Sequence, residues 1–122
     1  MNLQITGLTL AVTNMHQMLE FYEGVFQIRF TMQEMHGHQL YKSKWLGMDL
    51  LLCPAELANN TATQNRHQFD IATENIVATV ELVQAHHGLM MHDIIQQGDT
   101  KTVGVYDPDH NSIVFTETAA AS

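Results

Sequence analysis

The sequence predicts an α+β fold made of two copies of one small module, in which a strand and a helix are followed by three more strands. Three observations support this prediction. A strand with alternating apolar and polar residues precedes an amphipathic helix in each half of the chain. The predicted inner faces of both helices have residues at successive spacings of 4, 3 and 4. A small polar stretch without periodicity, residues 55–66, separates the halves as a linker.

The first module, residues 1–54, begins with a strand from Leu3 to Thr13 whose apolar residues alternate. Asn14 follows as a favourable N-cap, because its side-chain oxygen can accept a hydrogen bond from the first turn of a helix. The predicted inner face of this helix comprises Met15, Leu19, Tyr22 and Phe26. The three remaining strands are predicted at Gln27–His36, Gln39–Trp45 and Met48–Cys53.

The second module, residues 67–118, repeats this order and ends in a short tail, residues 119–122. Asn75 is the predicted N-cap of its helix, and Gly88 is predicted to end that helix in the left-handed conformation. The predicted inner face of the helix comprises Ile76, Val80, Val83 and His87. The remaining strands are predicted at Leu89–Gln97, Lys101–Tyr106 and Ser112–Thr118.

The start of the second module allows two registers. With Phe69 and Ile71 packed against the helix, Gln68 and Asp70 point to the opposite side of the sheet. A slip of one residue would instead assign His67 to that side, because successive side chains of a strand point in opposite directions. The apolar pattern favours Gln68, with His67 as the alternative.

Composition and charge restrict the function. A chain of 122 residues is one domain in size, and its net charge of −8 argues against binding to nucleic acid or to anionic membrane surfaces. No run approaches the roughly 20 apolar residues of a membrane span, and the first residues lack the features of a signal peptide, so we expect a cytoplasmic protein. Cys53, the single cysteine, is expected to be a buried, inert thiol.

The stretch from Tyr106 to Asn111 combines Asp, Pro and Asn in an order typical of a tight turn, and a strand with Ile113 and Phe115 on one face follows. This hairpin resembles the last hairpin of the vicinal-oxygen-chelate superfamily, which includes glyoxalase I, extradiol dioxygenases and the fosfomycin and bleomycin resistance proteins. The stretch from Leu8 to Asn14, followed by Glu20-Phe21-Tyr22, is similar to the first strand, cap and helix of that superfamily. The resemblance implies a curved, half-barrel mixed sheet around a central cavity between the two modules, and a homodimer.

The resemblance also implies where a divalent metal would be held. The superfamily takes metal ligands from strand positions that correspond here to Gly7, Leu52, Val114 and either Gln68 or His67. A complete structural zinc site contributes about 10–16 kcal/mol, so a single neutral ligand would bind a metal only weakly. We therefore expect no cofactor and no family-type metal. A divalent metal would need substitute ligands, for which the candidates are His36, His38 and Asp70.

The first functional hypothesis is a metal-free protein that binds a small organic molecule in the cavity. Trp45 is a candidate wall for a flat ligand, with a core or dimer-interface role as the alternative. Asp70 would favour a basic or amine-bearing ligand. The candidate ligand-binding residues are Thr9, Trp45, Gln68, Asp70, Tyr106 and Thr116.

Two alternatives remain open. One is an enzyme, either a metal-dependent lyase or isomerase of the glyoxalase type or a dioxygenase, that uses non-standard ligands. The other is a structural or regulatory dimer whose cavity is filled by side chains. No nucleophile with an adjacent base and no phosphate-binding loop is found in the sequence, so binding without catalysis is favoured.

Overall fold

A computed structural model describes residues 5–57 and 68–118. The chain divides into two compact units, Met1–Ala62 and Thr63–Ser122. Each unit contains one helix and one mixed sheet, which confirms the predicted α+β fold with two modules. Most of the predicted linker, His67 and the tail lie outside the described residues.

The first unit follows the predicted order. Its sheet has the strand order β1-β4-β3-β2, in which β1 and β4 are parallel and the other pairs are antiparallel. The tight turn between β3 and β4 uses the left-handed conformation at Leu46 and Gly47. The elements are β1 (Gly7–Val12), α1 (Met15–Phe26), β2 (Thr31–Met35), β3 (His38–Trp45) and β4 (Met48–Pro54).

Helix α1 begins at the predicted cap but is rotated relative to the predicted inner face. The Asn14 side chain accepts a hydrogen bond from the backbone N–H of Gln17 at 3.3 Å. Met15 and Leu19 are only half-buried. Tyr22 keeps its predicted inward position, with its ring 5.9 Å from that of Trp45 in an edge-on contact. The fully buried residues of the helix are Met18, Phe21, Tyr22 and Val25.

The second unit contains one strand more than predicted. Its sheet has the order β5-β9-β8-β6, β7 also pairs with β8, and β5 and β9 are parallel. The elements are β5 (Gln68–Ala72), α2 (Ile76–Ala85), β6 (Leu89–Met90), β7 (Ile95–Gln97), β8 (Thr100–Tyr106) and β9 (Ser112–Thr118).

The predicted strand Leu89–Gln97 is broken between β6 and β7. The Met91 N–H donates to the carbonyl of Gly104 at 2.9 Å, and the N–H of Gly104 donates to Nε2 of His92 at 3.2 Å. A Cβ on Gly104 would lie 2.7 Å from the Met91 sulfur. The side chains of Met91 and His92 therefore occupy space that only a glycine at position 104 leaves open. The His92 ring thus takes the place of a strand carbonyl as the acceptor.

Helix α2 is held at its start by a carboxylate from β9. The Asn75 side chain accepts from the Ala78 N–H at 3.1 Å, as expected of a cap, and Oε1 of Glu117 accepts from the Ile76 N–H at 2.8 Å. The predicted inner face is only partly buried, because Val80 is half-buried and His87 is exposed. His87, rather than Gly88, adopts the left-handed conformation at the helix end, with φ of 73°. Neither described helix has the length and apolar character needed to cross a bilayer.

The turn before β9 is built around a buried aspartate. Oδ1 of Asp107 accepts from the N–H groups of Asp109 and Asn111, both at 2.9 Å, and Oδ2 accepts from the Asn111 side chain at 2.7 Å. His110 adopts the left-handed conformation with φ of 65°. Asp107 and Asn111 are buried, with exposures of 0% and 1%. Their polar groups form hydrogen bonds with each other, which stabilises the turn.

Candidate functional site

Each sheet has one face that carries the helix and one that does not, which we call the helix-free face. In the second sheet, Phe69 and Ile71 pair with Ile113 and Phe115 on the side of α2. Glu117, two residues further along the same side of β9, reaches the start of α2. The neighbouring residues of these strands therefore form the helix-free face.

Four of the candidate residues lie together on the helix-free face of the second sheet. Gln68 pairs with Ser112, and Asp70 pairs with Val114. Nε2 of Gln68 donates a hydrogen bond to Oδ1 of Asp70 at 2.9 Å. On this face the aliphatic Val114 lies between Asp70 and Gly104, and the adjacent rows carry amide and hydroxyl groups. The candidate residues on it are Gln68, Asp70, Tyr106 and Thr116.

This arrangement decides between the two registers of the fifth strand. Phe69 and Ile71 are half-buried on the helix side, whereas Gln68 and Asp70 are exposed on the other. Gln68 is therefore the residue of β5 that lies on the helix-free face beside Val114. His67, the alternative, falls outside the described residues.

The break between β6 and β7 brings His92 to the same face. Its Nε2 accepts from the Gly104 N–H, and its Nδ1 lies 2.7 Å from the carbonyl oxygen of Asp93. This pattern requires the proton to be on Nδ1, because Nε2 is the acceptor. A Cβ on Gly104 would lie 3.2 Å from this Nε2, so the imidazole lies beside Gly104, which pairs with Val114. Sequence analysis did not select this residue, because its position depends on the strand break.

The helix-free face of the first sheet has a different character. Gly7 and Thr9 of β1 pair with Asp49 and Leu51 of β4, and Leu51 pairs with Lys42 of β3. Thr9 is thus the candidate ligand-binding residue that lies on the helix-free face of the first sheet. The face is open and polar at its outer strands, and it includes charged side chains that sequence reasoning did not select.

Asp49 is the acidic centre of this face. Its Oδ1 lies 2.6 Å from Nζ of Lys44, and its Oδ2 lies 3.8 Å from Nζ of Lys42. The hydrogen bond from Lys44 holds the pKa of the Asp49 carboxyl below its usual value; desolvation opposes this effect, and the charge of Lys42 adds to it.

Trp45, a candidate ligand wall, lies on the helix side of the first sheet. It is 1% exposed, and its ring is 5.9 Å from Tyr22 and 5.5 Å from Phe26. This geometry corresponds to the predicted role of Trp45 in the core rather than to its predicted role as a ligand wall. Cys53 is also buried, and burial raises the pKa of its thiol, which keeps the thiol protonated at neutral pH.

An open pocket of about 690 Å³ lies within the first unit, between the start of α1 and the β2–β3 hairpin. Met15 and Leu19 line it from the helix, and Tyr41 and His38 line it from β3. The two histidines on either side of Gly37 are candidate substitute ligands for a metal. His38 lines this pocket, whereas His36 is exposed in the turn with φ of 52°.

The model of the Glyoxalase/Bleomycin resistance protein/Dioxygenase superfamily matches residues 4–115. The chain belongs to this superfamily. The resemblance inferred from the first strand, the Phe-Tyr helix and the final turn is thereby confirmed. A comparison with curated proteins found no match.

Solved structures of the superfamily share the fold at low sequence identity. The fosfomycin resistance protein FosX from Mesorhizobium loti is 14% identical with a TM-score of 0.74, over 98% of this chain and 95% of that one. Lactoylglutathione lyase from Agrobacterium tumefaciens is 19% identical with a TM-score of 0.65, over 93% and 92%. TnmS3, an antibiotic binding protein from Streptomyces sp. CB03234, is 13% identical with a TM-score of 0.70, over 98% and 99%. These structural similarities show a shared fold.

The side chains at the superfamily's metal positions do not fit a divalent ion. Gly7 has no side chain and Val114 has an aliphatic one. Leu52, predicted to face inward, is instead fully buried on the helix side, where it pairs with Leu10 and Tyr41. Leu51 takes the helix-free position and is equally unable to coordinate. Within residues 5–57 and 68–118, no three His, Cys, Asp or Glu side chains are grouped to hold a metal.

Proposed function

We propose that this protein binds a small organic molecule, without a family-type metal, on the helix-free face of its second sheet. The observation that carries the proposal is the pairing of Asp70 with Val114, which puts a carboxylate next to the apolar surface of an aliphatic side chain. Gln68 orients that carboxylate through its hydrogen bond. Binding sites for small molecules typically combine such an apolar surface with a few fixed polar groups.

The polar groups on this face favour a ligand with a positive charge and an apolar body. Among the described residues, no Lys or Arg lies within ion-pair distance of Asp70. An amine would supply the missing partner, because a carboxylate hydrogen-bonded to an ammonium is stronger than a neutral pair. Tyr106 adds an aromatic ring that lies 5.9 Å from the ring of His110, and Thr116 adds a hydroxyl.

The comparisons supply a consistent background for this proposal. One structural neighbour is described as an antibiotic binding protein and another as a fosfomycin resistance protein. Lactoylglutathione lyase represents the enzymatic alternative. That alternative needs metal ligands other than the side chains at Gly7, Leu51 and Val114, so we propose binding rather than catalysis.

Calorimetric titration with benzylamine and with benzyl alcohol tests the proposal, because the two molecules differ in charge but share the ring. The protein should bind the amine more tightly, and Asp70→Asn should weaken amine binding by about tenfold or more, equivalent to about 1.4 kcal/mol. Asp99→Asn removes a negative charge from an exposed turn and should leave binding unchanged. Equal affinity for the amine and the alcohol would contradict the proposal.

Metal addition separates the proposal from its enzymatic alternative. Protein purified without an affinity tag should contain no stoichiometric metal, and Zn²⁺, Ni²⁺ or Mn²⁺ should not raise its melting temperature. A ligand at a hundred times its Kd would stabilise the folded state by about 2.7 kcal/mol, which a thermal shift detects readily. Such a shift would favour the lyase, isomerase or dioxygenase alternative.

We also propose that two copies of the chain pair in the cytoplasm. Strand β2 is at the edge of the first sheet and all of its residues are exposed. Met32 and Met35 on this strand are 48% and 47% exposed, and an exposed edge strand with apolar side chains is a surface that proteins usually cover. Sedimentation analysis should therefore give twice the mass of the chain.

A further inference from the structure

The helix-free face of the first sheet gathers most of the positive charge of an acidic chain. Three of the five basic residues, Arg29, Lys42 and Lys44, line one groove on this face. Lys42 and Lys44 alternate along β3 and therefore project to the same side. The Ser43 hydroxyl donates to the carbonyl oxygen of Arg29 at 2.7 Å, which fixes the Arg29 backbone beside β3.

The two lysines of the groove share one carboxylate. Asp49 contacts Lys44 at 2.6 Å and Lys42 at 3.8 Å. Within the described ranges, no carboxylate lies within ion-pair distance of Arg29. The groove therefore keeps an excess of positive charge although the chain as a whole carries −8. Asp49 compensates only part of this charge, so an anionic ligand would balance the remainder.

The groove also has room for an apolar group. It opens to about 480 Å³ beside Arg29, Lys42 and Lys44, and a second space of about 240 Å³ adjoins it over Gly7 and Leu51. Both spaces are lined by Lys42 and Asp49. The absence of a side chain at Gly7 helps to keep this space open, and Leu51 provides an aliphatic floor.

We propose that this groove binds a small organic anion. Carboxylate or phosphate oxygens of the ligand lie between Lys42, Lys44 and Arg29, and its apolar part lies over Leu51. The arginine supplies a planar pair of donors and the lysines supply point charges, which together suit an oxyanion. The inference assumes the binding role proposed above, but it concerns another unit, other charged residues and a ligand of opposite charge.

The affinity should depend on salt. The side chains of Lys42 and Lys44 are 46% and 82% exposed, so their interaction with an anion is screened by dissolved ions. Affinity for the anion should therefore fall as sodium chloride is added. Binding through apolar contact alone would remain the same or increase.

Calorimetric titration of the full chain with phenyl phosphate, benzoate and inorganic phosphate tests the inference. Phenyl phosphate should bind more tightly than inorganic phosphate, and comparison with benzoate separates phosphate from carboxylate recognition. The double variant Lys42→Gln/Lys44→Gln should weaken phenyl phosphate binding by about tenfold or more. Lys101→Gln is the matched control, because Lys101 lies in the second sheet beside Glu117, and it should leave this binding unchanged.

The outcomes distinguish this inference from the proposed function. Loss of phenyl phosphate binding in the double variant, with benzylamine binding retained, supports a separate anion site. Equal losses in the double variant and in Lys101→Gln, or equal binding of phenyl phosphate and inorganic phosphate, would overturn it. Asp70→Asn should leave phenyl phosphate binding intact, so a failure of the amine experiment alone would count only against the proposed function. Circular dichroism of each variant checks that the chain remains folded.

Discussion

Helix α1 packs on its sheet through aromatic rings, whereas α2 is held by aliphatic side chains and one carboxylate. In the first unit the ring of Phe26 lies 5.6 Å from Tyr22, stacked on it, and 5.5 Å from Trp45, edge-on. In the second unit Ile76 and Val83 are the buried helix residues, and Glu117 accepts from the first turn. The two units therefore share an order of elements while they stabilise it by different interactions.

The helix-free faces differ even more than the helix sides. The first presents Lys42 and Lys44 around Asp49, and the second presents Asp70 beside Gln68 and Val114. The helix sides must stay apolar because they bury the helices, and this requirement limits their divergence. The helix-free faces bury no helix, so they can carry charged groups, and these groups differ between the two units.

Removal of the aromatic centre of the first unit should have the largest effect on stability. Trp45→Ala leaves a cavity beside Tyr22 and Phe26 and should lower the free energy of unfolding by about 3–5 kcal/mol. Trp45→Phe keeps an aromatic ring and should cost less. The free energy of unfolding of each variant is measured by urea titration, with circular dichroism as the signal. A cost below about 1 kcal/mol for Trp45→Ala would mean that the ring is not central to this core.

Removal of the carboxylate at α2 should have an intermediate effect. Glu117→Ala takes away the acceptor for the Ile76 N–H and a negative charge at the positive end of the helix dipole, and should cost about 1–2 kcal/mol. Glu117→Gln keeps an oxygen acceptor and should cost less. Thermal unfolding of the two variants measures the difference. Equal stability of Glu117→Ala and the unchanged protein would show that Asn75 alone is sufficient to cap α2.

The ion pairs of Asp49 should produce the smallest effect, visible as a pH dependence. Lys44 lowers the pKa of Asp49 in the folded state, so the carboxylate stabilises the fold above its unfolded value of about 3.8. This contribution is lost as the pH falls through the folded-state pKa. Asp49→Asn should therefore be less stable than the unchanged protein at neutral pH, and the difference should vanish in strong acid.

Measurement of the melting temperature across this pH range, at low and high salt, checks the Asp49 prediction. Because Asp49 is partly exposed, added salt should reduce the difference at neutral pH. Asp93→Asn, at an exposed position in the strand break of the second unit, is the matched control, because it makes the same chemical change away from Lys42 and Lys44. A difference that persists in acid would mean that Asp49 acts through packing rather than through its charge.

Local chemistry explains why much of the candidate site could be predicted. Gln68, Asp70 and Thr116 were assigned to one face from the alternation of two strands, and they lie on that face. The turn at Asp107 was predicted from residue types that bond to their own backbone. Strand alternation and turn formation depend on a few neighbouring residues, so both can be predicted from the sequence.

Other parts of the site depend on how the strands pair. Leu52 follows Leu51 in an aliphatic run, and nothing in the run indicates which of the two faces the helix. Pairing with Leu10 and Tyr41 decides the question. Lys42 and Lys44 lie on β3, and Arg29, which precedes β2, meets them only because β2 pairs with β3.

The sequence alone determined the order of strands and helices, the caps at Asn14 and Asn75 and the superfamily, because periodicity and hydrogen bonds to neighbouring residues act over a few positions. Only the tertiary structure decided the rotation of α1, the side on which Trp45 lies and the strand break that brings His92 over Gly104. These features depend on contacts between distant residues, and a shift of one position in a strand exchanges its two faces.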